Sequence, residues 1–275
     1  MPEQPEYFMS GFCKGETVPQ EEVCNGVDDD CDGVTDSGEE LDPVDILFIV
    51  DWSGSMDVEI FAVMSALNQF AANYSDEEVL QWGMVMGPME SMMGPYLEYL
   101  KIHHNLSGFT DFLAAMSQLN LSSYAMSGAR EMLYDALYLA LHNLVGATSL
   151  PIQIADLTWN TFKGVSESKP PLKQFVINWR KEANVERVII LFTDETPQTY
   201  LTPEIEQDTL LDVLSKTTNT KIYVFSKEWH KENATYHDGW EPLCTASGGK
   251  WYELSSDTLV VYNSLMEIID ENACK

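Results

Sequence analysis

The apolar positions of this chain fall into short continuous runs separated by amphipathic stretches. Val44 to Val50 (VDILFIV) is almost unbroken and ends in Asp51, the pattern of a strand covered on both faces. Val58 to Tyr74 places Ile60, Phe61, Met64, Leu67 and Phe70 at helical spacing. Leu80 to Met86 and Tyr96 to His103 predict strands, and Phe109 to Leu119 and Glu131 to Leu144 predict helices. Val188 to Thr193 (VIILFT) is a second fully apolar strand, and Asp194 follows it. Ile205 to Leu214, Lys221 to Ser226, Lys250 to Leu254 and Thr258 to Asp270 continue the alternation of helix and strand. This order predicts an α/β fold, a three-layer open sheet, mostly parallel, with helices on both faces. Ligands of such folds sit beyond the carboxyl ends of the strands, where Asp51 and Asp194 fall.

Two regions break the pattern. Residues 1–42 are polar, rich in acidic residues and too short for a core of their own. Asp42-Pro43 marks their boundary with a domain spanning 43–275. Residues 145–186 hold Pro151, Trp159, Lys169-Pro170-Pro171 and Trp179, and are expected to form a long elaboration beside the binding face.

Charge narrows the partners. The 275 residues carry 15 Lys+Arg against 44 Asp+Glu, formally −29, which repels nucleic acid and anionic lipid and favours divalent cations or basic surfaces. Apolar residues make up 45% of the chain, a globular composition. No apolar run is long enough for a transmembrane segment. The five cysteines are Cys13, Cys24, Cys31, Cys244 and Cys274. The close pairs Cys24–Cys31 and Cys244–Cys274 are candidate disulfides and would place the chain in an oxidising compartment, extracellular or at a cell surface. The amino terminus lacks the charged start and apolar stretch of a signal peptide.

The first candidate chemistry is Asp51-Trp-Ser53-Gly-Ser55. A strand ending in Asp, followed by hydroxyls at alternate positions, gathers three oxygen donors at one point. Oxygen-only donors suit Mg2+, Mn2+ or Ca2+. The stretch DILFIVDWSGSM resembles the first strand and metal ion-dependent adhesion site (MIDAS) of the von Willebrand factor A (vWA) family, and the resemblance covers residues 44 to 273. It implies that Asp51, Ser53 and Ser55 serve the ion, joined by Asp194 of VIILFTDE. Most members supply a further Thr before a helix. This chain has none there and instead resembles the integrin β version, with Glu131-Met-Leu-Tyr-Asp-Ala-Leu. The resemblance therefore implies Glu131 as the remaining ligand, with Ser127 as the fallback. Of the two flanking calcium sites of that version, one is not expected, because Met126, Gly128 and Arg130 replace its Asn, Asp and Pro. The other would use acids after the second Ser, where Glu59 and Asp57 are available and Val58 is not.

The second candidate is the acidic loop within residues 22–39. Counting from Asp28, acids fall at positions 1, 3 and 5 (Asp28, Asp30, Asp32), Gly33 at 6, the Val34 carbonyl at 7, Asp36 at 9 and Glu39 at 12. That is the spacing of an EF-hand loop and predicts Ca2+. Cys24-Asn-Gly-Val-Asp-Asp-Asp-Cys31-Asp-Gly also resembles a CNGxDDDCDGxxD metal-binding repeat of myxobacterial surface and secreted proteins.

Weaker signals carry less. His103-His104 lacks further ligands at metal spacing and reads as a surface pair. No Gly-rich phosphate loop, nucleophile elbow or Cys/His dyad appears, so the chain does not read as an enzyme. A hydrolase would need a general base beside the ion. The expected function is a metal-dependent binding or adhesion module, whose ion takes an Asp or Glu of a protein, matrix or cell-surface partner. The alternative is an assembly component of a bacterial cell-envelope machine that uses the same site.

Overall fold

The computed structural model describes residues 42–73, 79–90, 98–119, 132–145, 150, 152–159, 172–232 and 239–273. Its strands are β1 (Val44–Asp51), β2 (Leu80–Glu90), β3 (Glu98–Ser107), β4 (Thr158–Trp159), β5 (Glu186–Phe192), β6 (Leu201–Thr202), β7 (Thr220–Ser226) and β8 (Trp251–Glu253). Six of them form one sheet in the order β3-β2-β1-β5-β7-β8, and β4 and β6 form a separate antiparallel ribbon. All pairings in the large sheet are parallel except that of β2 with the edge strand β3. The predicted three-layer α/β architecture is what the chain adopts.

The layers follow from the alternation of side chains along each strand. Every residue of β1 is buried, as expected for a strand covered twice. Val44, Ile46, Phe48 and Val50 point to one face, where α1 (Glu59–Asn73), α2 (Phe109–Ser117) and α6 (Thr258–Ala273) cover them. Leu47 and Ile49 point to the other face, beneath α3 (Leu133–Val145), α4 (Gln207–Leu214) and α5 (Glu241–Ser247). On the first face Trp82 packs against Phe70, edge to face at 5.5 Å, and against Phe112 at 6.0 Å.

Helix α3 is buried all round from Leu133 to His142, which a helix lying on a sheet cannot achieve alone. Its outer side is sealed by the end of the elaborated segment. Phe175, Ile177 and Trp179 join the same core, and the Trp179 indole N–H donates to the Ala140 carbonyl at 3.1 Å. The segment then runs to the amino end of β1. There Arg180 donates from Nε to Asp45 Oδ1 at 2.6 Å and from its backbone N–H to Oδ2 at 2.8 Å. Asp45 lies six residues before Asp51, roughly 20 Å away at strand rise. Residues 146–149, 151 and 160–171 of the expected elaboration lie outside the described residues. Among the described residues of the segment, 158–159 pair with β6, while residues 172–182 lid α3 and run to the amino end of β1. Apolar side chains at alternate positions 175, 177 and 179 needed a surface to bury, and α3 supplied it.

Helix α5 was not anticipated, although its signals are local. Pro242 sits in its first turn, and Gly248 ends it with φ 79°. A Cβ on the adjacent Gly249 would stand 2.1 Å from the Ile222 carbonyl oxygen, so only glycine fits there. Cys244 on this helix is a buried free thiol. It lies in the core beneath α3–α5, whereas α6 ends at Ala273 in the core of the opposite face. Cys274, expected to pair with Cys244, lies outside the described residues. Burial also pushes the Cys244 thiol up to about 12, so it holds little thiolate. An alkylating reagent is expected to leave the Cys244 peptide unmodified in the native protein and to label it in urea. Peptide mapping by mass spectrometry checks this.

His103 and His104 are half-buried, not a free surface pair. His103 Nε2 donates to the Ala115 carbonyl at 3.0 Å, and His104 Nε2 lies 2.7 Å from Ser107 Oγ. Burial lowers both from the usual histidine range, which favours neutral rings. No helix among the described residues is long and apolar enough to cross a membrane.

Candidate metal centre

The connections place a crevice between β1 and β5. From β1 the chain builds outward through β2 and β3, then returns to add β5 on the other side of β1. Helices leaving the two strands depart to opposite faces, and the gap at their carboxyl ends is the usual ligand position of doubly wound sheets.

Asp51, the last residue of β1, is fully buried at this point. Val50 pairs with Phe192, so Thr193 emerges beside Asp51 and donates from Oγ1 to Asp51 Oδ2 at 2.7 Å. The Ser53 backbone N–H donates to Oδ1 at 2.8 Å. These bonds orient both carboxylate oxygens. Burial pushes the Asp51 carboxyl up to about 7; its hydrogen bonds from Thr193 and Ser53 oppose this, and the Asp194 charge reinforces it.

From Asp51 a row of oxygens leads outward. Ser53 Oγ lies 2.9 Å from Ser55 Oγ, and Ser55 Oγ donates to Asp194 Oδ1 at 3.1 Å. Ser53 is buried and Ser55 exposed, so the row opens to solvent. The turn Gly54–Asp57 between β1 and α1 holds this geometry, with the Met56 N–H donating to the Ser53 carbonyl at 3.3 Å and the Met56 side chain buried beneath. Asp194 and Glu195 are both raised, chiefly by burial, and Glu195 additionally by Asp194.

Asp51, Asp194 and its chain neighbour Glu195 are all displaced toward the protonated form, chiefly by burial, a cost that a bound cation would relieve. Hydroxyl and carboxylate oxygens are the donors, the set preferred by Mg2+, Mn2+ and Ca2+. The residues thus fit a hard divalent cation, which Ser53, Ser55, Asp51 and Asp194 would hold. Among the described residues no group of three or more His, Cys, Asp or Glu converges on one point, so a cation here would need the serine hydroxyls as well as the carboxylates.

Of the ligands expected from sequence, the fold brings together Asp51, Ser53, Ser55 and Asp194. Glu131 and the fallback Ser127 lie outside the described residues, as do Asp28, Asp30, Asp32, Val34, Asp36, Glu39, Cys24 and Cys31. Met132 is buried, and the Tyr134 N–H donates to the Gln198 carbonyl at 3.2 Å. The buried Asp135 carboxylate accepts from Thr199 Oγ1 at 2.5 Å and from the Tyr200 N–H at 2.7 Å. The first turn of α3 is thereby tied to the loop that carries Asp194.

Three contributors were not singled out from the sequence: Thr193, Asp135 and Lys227. Thr193 had a signal, since it ends the strand beside the one that ends in Asp51. Asp135 was quoted within the helix motif but given no task. Lys227 pairs with Glu59, the residue weighed for a flanking cation.

No protein-family model matches the chain, and no curated protein matches it. Similar solved structures include proximal thread matrix protein 1 (PTMP1) from the mussel byssus, 11% identical, with a TM-score of 0.47, covering 85% of this chain and 49% of that one. A structure of PTMP1 with zinc occupied MIDAS motif is 14% identical, with a TM-score of 0.46, covering 86% of this chain and 47% of that one. The chain spans about half the length of these proteins.

Proposed function

We propose that this chain is a vWA-type binding module in which a divalent cation, held by Asp51, Ser53, Ser55 and Asp194 with Glu131 as a further ligand, grips a carboxylate of a protein partner. One observation carries the reading: the row from the buried Asp51 through Ser53 and Ser55 to Asp194, opening outward at the crevice between β1 and β5. A hard cation held partly by neutral hydroxyls keeps exchangeable water and an open coordination position, and an external carboxylate displaces that water. The lining carboxylates would repel such a partner without the ion, so binding should disappear with a chelator. Mg2+ is the expected ion, with Mn2+ or Ca2+ as substitutes. In the same reading the amino-terminal loop of residues 22–39 takes Ca2+, the partner belongs to an extracellular matrix or a cell surface, and the chain is no enzyme.

Water-proton relaxation with Mn2+ tests this. Chelator-stripped protein is expected to bind Mn2+ with a strong relaxation enhancement, which Ser53→Ala combined with Ser55→Ala removes. An aspartate-containing peptide should lower the enhancement by displacing water. Wild-type enhancement in the double variant would sink the proposal.

A further inference from the structure

The charges around the cleft are not all acidic. Lys227 follows β7 directly, and its ammonium is paired with the Glu59 carboxylate at the start of α1. Phe192 pairs with Phe225, and the Thr193 N–H donates to the Phe225 carbonyl, so Asp194 and Lys227 emerge side by side at the ends of β5 and β7. Glu59 lies on the far side, eight residues beyond the end of β1. Because β5 lies between β1 and β7, the Lys227–Glu59 pair reaches across the end of β5, where Asp194 stands. The two side chains are 21% and 14% exposed, sheltered enough for the pair to persist and to be felt nearby. Asp194 feels both, Glu59 raising its carboxyl and Lys227 lowering it.

Resting on the function proposed above, we infer that Lys227 is a built-in counter-cation of this centre: its ammonium, pinned on Glu59, sits on the acidic flank of the cleft and weakens the hold on the divalent ion. It is a positioning residue and touches neither ion nor partner. The pair makes opposite demands on its two members. Removing the ammonium leaves Glu59 as a bare carboxylate beside the ion, so Lys227→Met tightens Mn2+ binding. Removing the carboxylate frees the ammonium toward Asp194, so Glu59→Gln weakens it. An ordinary structural ion pair would lose similar stability from either side and leave the ion alone.

The experiment is Mn2+ titration of the full chain, read by calorimetry and by the electron paramagnetic resonance of free Mn2+. Wild type, Lys227→Met, Lys227→Arg and Glu59→Gln are compared, with Asp51→Asn marking binding that belongs to the cleft. Lys227→Met is expected to bind Mn2+ about tenfold tighter and Glu59→Gln about tenfold weaker. Lys227→Arg, which keeps the charge, should stay within about twofold of wild type. Thermal melts in chelator confirm that each variant is folded. Shifts in the same direction for Lys227→Met and Glu59→Gln, or none in either, overturn the inference while leaving the metal centre intact. Wild-type Mn2+ binding that survives Asp51→Asn overturns the metal centre itself, and this inference with it.

Discussion

Asp51→Asn is expected to abolish divalent-cation binding in the cleft and, in chelator at pH 8, to make the protein more stable than wild type. The first half follows from the position of Asp51 at the buried end of the oxygen row. The second follows from its protonation. The carboxyl is raised from 3.8 to about 7, so the folded state holds a proton that the unfolded chain has released. Below about pH 4 both states are protonated and the group is neutral toward stability. As pH rises toward 7 the unfolded state ionises first, and stability is lost until the folded carboxyl ionises as well. The loss above pH 7 approaches about 4 kcal/mol. Asparagine has the same shape and no charge, accepts from the Ser53 N–H, and escapes this cost, giving back about 1 kcal/mol for the weaker hydrogen bonding. Urea unfolding in chelator should place the variant above wild type at pH 8, with the gap closing near pH 4. A variant less stable at pH 8 would mean that Asp51 is paired with a positive group and has no need of a cation. The same logic makes cation binding by the wild type release a proton near pH 7, measurable by calorimetry in buffers of different ionisation enthalpy.

Asp135→Ala is expected to cost about 3 kcal/mol, the largest loss of stability foreseen for any single change near the site. The carboxylate is fully buried and holds both the Thr199 hydroxyl and the Tyr200 N–H. Truncation strands both donors in a closed layer of apolar side chains that includes Tyr200, Leu201 and Ile205. It also unties α3 from the loop following Asp194, so Mn2+ affinity should fall together with stability. Asp135→Asn keeps an acceptor oxygen and should cost about 1 kcal/mol. Urea midpoints and Mn2+ titrations of the two variants check this. An alanine variant with wild-type midpoint and affinity would show that other contacts hold the loop.

How far these features could be read in advance depends on the range of the interaction involved. Each strand of the large sheet was legible because its signal is the identity of consecutive residues. The run from Val44 to Val50 is apolar since both its faces are covered, and no distant partner has to be known to see that. Asp51, Ser53 and Ser55 were legible as a group for the same reason, being adjacent in the chain. Helix α5 is too short for its periodicity to register, and Pro242 with Gly248 was the only local mark it left. The task of the segment ending at Arg180 was not legible, because Trp179 on Ala140 and Arg180 on Asp45 are contacts between residues 39 and 135 positions apart.

By itself, then, the sequence determined the order of elements, the two-sided burial of the sheet and the strand ends where oxygen donors collect, since all of these are written in periods of a few residues. Only the tertiary structure decided which strands are neighbours. That choice places Thr193 on Asp51, Asp194 on Ser55, Asp135 beneath the following loop and Lys227 across to Glu59. It also set Cys244 and the end of α6 on opposite faces of the sheet. Such pairings depend on how whole layers pack against each other, and layer packing is governed by buried area summed over many residues that no local pattern records.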